Sequence, residues 1–113
     1  MDLPLAAKEM LAALLSAIRQ ALGDNLVGVY LRGALAMGGF IPSTSDLDLL
    51  AVTEQPVDDA EFAALASLHA RQAASPNPYA RRLEIAYIDR AALQRFQRGI
   101  RHPTLGQGEV LAR

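Results

Sequence analysis

The spacing of apolar residues changes along the chain, and each change marks an expected element. Leu11, Leu14, Leu15, Ile18 and Leu22 recur at the interval of one helix face, and Gly23 follows as a stop, so a helix is expected over roughly residues 3–22. "NLVGVYLR" from Asn25 is rich in β-branched and aromatic residues and is short enough for a buried strand. Gly33, Gly38 and Gly39 and the turn-forming "PSTS" at Pro42 then separate it from a second strand, "DLDLLAVT", over residues 46–53. Asp58 and Glu61 have the spacing of a capping box. Phe62, Leu65, Ala66 and His69 carry a second helix to about Ala74, where "SPNP" breaks it. In "RLEIAYI" residues Leu83, Ile85 and Tyr87 alternate with Glu84 and Ala86, which predicts a third strand. Asp89 suits the N-cap of a short helix from Arg90 to Gln97, and beyond Gly99 the pattern fades. The order helix, strand, loop, strand, helix, strand, helix predicts a small α/β (α+β) protein with helices packed on a mixed sheet.

Composition narrows the classes. A chain of 113 residues with 51% hydrophobic residues and a formal charge of -1 fits one compact domain, and the near-neutral balance argues against bulk electrostatic binding of nucleic acid. The absence of cysteine excludes disulfides and thiolate metal sites. Asp2 stands where a secretory leader would be basic, and the apolar stretches are too short or interrupted to span a bilayer, so a cytoplasmic protein is expected, with no membrane partner.

The unusual chemistry lies in the second strand. Side chains at i and i+2 of a strand share a face, so Asp46 and Asp48 are expected to point together while Leu47, Leu49 and Ala51 point to the other side. Two like charges held together are costly unless a cation compensates them, and oxygen donors without cysteine or a nearby histidine suit Mg²⁺. Glu84, flanked by leucine and isoleucine, is the candidate third carboxylate. The glycines before the pair permit close backbone approach to phosphate oxygens. Acids for a metal beside a loop for phosphates point to metal-assisted phosphoryl or nucleotidyl transfer. Plainer readings stand beside these: Asp46 as a strand cap, Glu84 as an edge carboxylate paired with Arg81 or Arg82, and the glycines as a surface turn. Arg71, Arg81 and Arg82 read as a solvated basic surface, with contact between one of them and a triphosphate left open. His69 is expected to be a packed histidine, and His102 is assigned no role.

The run "RGALAMGGFIPSTSDLDLLAV" resembles the signature of polymerase-β-type nucleotidyltransferases. "GGFIPSTSDLDLL", followed by "RRLEIAYI", is most similar to the aminoglycoside adenylyltransferases that modify streptomycin and spectinomycin, enzymes of antibiotic resistance. The resemblance covers roughly residues 25–110. It implies a nucleotidyltransferase fold and transfer of AMP from ATP to a hydroxyl of a small acceptor. Asp46 and Asp48 would then be Mg²⁺ ligands, with Glu84 as general base or further ligand. Gly33 and Ala34 would contact the nucleotide phosphates, with Arg32 and Ser45 also in the nucleotide site. Two departures stand out. Ala34 replaces the family's serine, and a lost charge-assisted hydrogen bond is worth about 1.5–3 kcal/mol; two readings of Arg32 stand open, partial replacement of that contact and a solvent-exposed charge at the strand end. The longer relatives also continue into a helical domain, so residues 1–113 are expected to be a nucleotidyltransferase domain without that second domain, and self-association is expected to cover the surface so exposed. The alternatives are a minimal antitoxin-like interaction module acting on a helical partner protein, and a decayed nucleotide-binding domain.

Overall fold

The structure, a computed structural model, describes residues 3–31 and 47–95 and the backbone of residues 104–105. The first helix, α1 (Leu5–Leu22), leads through a 3-10 turn (Gly23–Asn25) into β1 (Leu26–Leu31). Next come β2 (Leu47–Thr53), α2 (Asp59–Ala73), β3 (Leu83–Asp89), α3 (Arg90–Arg95) and β4 (Thr104–Leu105). Together they form a small mixed α/β protein whose sheet has the order β1-β2-β3-β4. The strand β2 runs antiparallel to β1 and parallel to β3, and β4 is antiparallel to β3. A parallel pair needs a long crossover, and α2 supplies it between β2 and β3.

Local chemistry sets the element boundaries. The stop after α1 is Gly23, whose φ of 53° lies in the left-handed region that favours glycine, and its amide donates to the Arg19 carbonyl. At the start of α2 the Asp58 side chain accepts from the Glu61 amide at 2.7 Å, while the Glu61 carboxylate accepts from the Asp58 amide at 3.1 Å. This is the capping box expected from the spacing. The short α3 is capped as expected, with Asp89 accepting from the Ala92 amide at 3.1 Å. Asn25 fastens the start of β1 to the β2–α2 connection. It accepts from the Gln55 amide and donates to the Gln55 carbonyl and the Glu61 carboxylate.

Both long helices cover one face of the sheet. Met10, Leu14, Ile18 and Leu22 of α1 and Leu65 and Leu68 of α2 pack with Leu47, Leu49 and Ala51 of β2 and Leu83, Ile85 and Tyr87 of β3. Each side chain of leucine size so buried contributes about 1.5–3 kcal/mol. The buried stripe of α1 is Ala7, Met10, Leu14, Ile18 and Leu22, while Leu11 and Leu15, counted in the sequence on the same face, are half-buried at its margin. In α2 the fully buried positions are Leu65, Leu68 and His69, with Phe62 and Ala66 half-buried.

Candidate active site

Strand alternation delivers the expected separation of faces. Leu47, Leu49 and Ala51 are 0%, 1% and 0% exposed beneath the helices, whereas Asp48 lies half-buried on the opposite face. In β3, Leu83, Ile85 and Tyr87 likewise face the helices and Glu84 lies half-buried on the other side. The parallel register pairs Asp48 directly with Glu84. Adjacent strands lie about 4.8 Å apart, so the two carboxylates rise side by side from one row of the sheet. They occupy the second residues of their strands, at the sheet end from which Leu31 leaves β1 and Leu47 enters β2. The Leu47 amide donates to the Arg82 carbonyl at 2.8 Å, extending the β2–β3 pairing one step beyond the acids. The Arg82 guanidinium sits over the Tyr79 ring, 4.7 Å from its centroid.

This row joins two of the three expected carboxylates. Asp46, Arg32, Gly33, Ala34, Ser45, Gly38, Gly39 and His102 lie outside the described residues. Among the described residues no group of three or more metal-ligating side chains comes together. The pair Asp48–Glu84 nevertheless has the chemistry a hard divalent cation requires, two oxygen donors presented from one face. The expected Mg²⁺ therefore fits the donor type that the structure places there.

Below the acids, the same face is apolar. Tyr30 of β1 stands opposite Leu50 of β2, which in turn pairs with Ala86 of β3; Gly28, Val52 and Ile88 make the next row. The Tyr30 ring leans back over Gly28, where a Cβ would stand 3.0 Å from the Tyr30 hydroxyl, so a larger residue there would push the ring aside. Arg90, Leu93 and Gln94 of α3 line the far end, and the open pocket so formed has a volume of about 420 Å³. The sequence reading did not single out this pocket, because it forms only where α3 meets the β1–β2 face.

His69 is packed, as its place on the apolar side of α2 suggested. It is 3% exposed and lies 2.6 Å from the Tyr87 hydroxyl through Nε2 and 3.3 Å from Gln72 Oε1 through Nδ1. Gln72 Nε2 donates to the Ala80 carbonyl at 2.6 Å. That bond leaves Oε1 to accept the Nδ1 proton, so the network assigns a bare Nε2 that accepts from Tyr87. Burial lowers the His69 pKa, an effect the Gln72 hydrogen bond partly opposes, and burial raises that of Tyr87. Among the described residues no buried side-chain polar atom lacks a hydrogen-bond partner. His69 and Tyr87 are thus structural members of the covered face, away from the carboxylate row.

No helix among the described residues is long and apolar enough to cross a membrane. In comparisons with known proteins, no family model and no curated protein matches the chain.

Proposed function

We propose that the chain is a nucleotidyltransferase domain that moves AMP from ATP to a hydroxyl of a small acceptor, with the aminoglycoside class as the first to assay. The observation that carries this reading is the register match of Asp48 with Glu84 on the face turned away from the helices. Two carboxylates side by side are unfavourable in an ordinary sheet and useful where positive charge is to be held. Asp48, with Asp46 two residues before it, would hold Mg²⁺. The bound cation would neutralise charge on the donor phosphates. Glu84 takes the proton of the acceptor hydroxyl as its oxygen attacks the α-phosphorus. A new P–O bond to the acceptor forms, the bond from the α-phosphorus to the bridging oxygen breaks, and pyrophosphate leaves.

The test follows pyrophosphate release and AMP transfer from labelled ATP across a panel of aminoglycosides, with Asp48→Asn as control. Transfer that depends on Mg²⁺ and vanishes in Asp48→Asn supports the reading; transfer retained in the variant removes it.

A second reading, an interaction module for a helical partner protein, draws on the sheet edge. Tyr30 and Leu31 of β1 are 52% and 48% exposed, an apolar pair at the end of an outer strand. Co-purification of a helical partner, lost on Leu31→Asp, would favour it.

A further inference from the structure

The pocket beside the carboxylate row has a shape and chemistry of its own. Its volume of about 420 Å³ is in the range of small-molecule sites. Val27, Tyr30, Leu50, Val52 and Leu93 give it apolar walls, and Gln94 supplies a carboxamide that both donates and accepts hydrogen bonds. Its charged lining residue is Arg90, whose guanidinium is 2.9 Å from the Glu54 carboxylate. Among the described residues that line the pocket there is no carboxylate. Among these lining residues a polycationic acceptor would meet a guanidinium already paired with Glu54, and apolar walls. A flat heteroaromatic ring fits better: its faces suit Tyr30 and the aliphatic walls, and its polar edge suits Gln94.

Position adds a second argument. Leu50 follows Asp48 by two residues on the same face, about 7 Å along the strand. A ligand whose ring fills the pocket and whose other end runs along β2 toward the start of the strand would reach Asp48 and Glu84. A nucleotide has this form, an aromatic base at one end and metal-seeking phosphates at the other.

We propose that the pocket walled by Tyr30, Leu50 and Leu93 seats the base of the donor nucleotide, with the phosphates leading to the Asp48–Glu84 row. The proposal rests on the nucleotidyltransferase reading and deepens it, since it assigns the acceptor to a different part of the surface.

The experiment compares two probes on the full chain by calorimetry with Mg²⁺ present: a non-hydrolysable ATP analogue and inorganic tripolyphosphate. The variants are Leu93→Asp, which puts a charge into the pocket, and Tyr30→Ala, which removes its aromatic wall. These side chains are 39% and 52% exposed, so both variants are expected to fold, which thermal melting verifies. The expected result is that the wild-type chain binds the ATP analogue roughly tenfold or more tightly than tripolyphosphate. Both variants should erase that preference and leave tripolyphosphate affinity unchanged. Equal affinity of the wild type for the two probes, or a preference that survives both variants, overturns the base pocket while the metal and phosphate reading stands. Failure of the wild type to bind either probe overturns both.

Discussion

The two faces of this sheet are made by the same strands and differ in nearly every property that matters. On the helix side, β2 contributes Leu47, Leu49 and Ala51 and β3 contributes Leu83, Ile85 and Tyr87, all at most 1% exposed. One residue out of phase, the same strands present Asp48 and Glu84 to the other side, half-buried and in direct register. Stability is concentrated on one face and ionisable chemistry on the other. A strand's two-residue period is what allows a seven-residue element to do both.

The sharpest way to break this division is to change each face separately. Asp48→Asn is expected to abolish Mg²⁺-dependent binding of a nucleotide analogue, while leaving the melting temperature unchanged or slightly raised because a like-charge neighbour of Glu84 is gone. Calorimetry and thermal melting on one preparation check both halves. Leu49→Ala is the opposite experiment. Leu49 is 1% exposed within the core cluster, so its truncation should cost about 2–5 kcal/mol by denaturant titration. At a temperature where the variant remains folded, its metal-dependent binding should persist. A chain in which Asp48→Asn unfolds the protein would show that the carboxylate is structural and that the faces are not separable.

How much of this was legible beforehand follows from the range of each signal. Short-range periodicity placed α1, the capping box at Asp58 and the alternation in β2 and β3, since each is set within a few residues. Asp48 stands out in the sequence with Asp46 as a same-face pair, and Glu84 as the candidate third carboxylate, each an acid among apolar neighbours. The direct pairing of Asp48 with Glu84 was not readable, because it depends on the crossover through α2 and on a register fixed 36 residues apart. The two-residue β4 carries no period at all. The base pocket was hidden for a similar reason: Tyr30, Leu50 and Leu93 are ordinary apolar residues until the fold brings them together. The Tyr87 partner of His69 was invisible because the two are 18 positions apart.

That histidine provides the next, smaller tests. Tyr87→Phe removes the hydroxyl that donates to His69 Nε2 and leaves a buried acceptor unsatisfied, a loss of about 1–3 kcal/mol by denaturant titration. The pH dependence follows from burial, which lowers the His69 pKa from its ordinary 6.5. Between the lowered value and 6.5 the unfolded chain holds more protons than the folded one, so stability is fully present above about pH 6.5 and declines as pH falls through this window. His69→Gln should flatten that decline in melting curves taken across the range. An undiminished decline in the variant would assign the effect to other groups.

The smallest effect is expected on the open face, at the ion pair between Arg90 and Glu54. The partners are 2.9 Å apart, yet their side chains are 50% and 48% exposed, and such pairs contribute about 0.2–1 kcal/mol. Glu54→Gln should therefore change the melting temperature little, and less still at high salt. Its larger consequence would be at the pocket, where Arg90 would no longer have its carboxylate partner and would present more positive charge to whatever enters. An anionic nucleotide should then bind somewhat more tightly at low salt, and a cationic acceptor more weakly. A Glu54→Gln variant that instead destabilises the chain as much as Leu49→Ala would mean that the open face carries part of the fold after all, and the division of labour between the two sides would have to be redrawn.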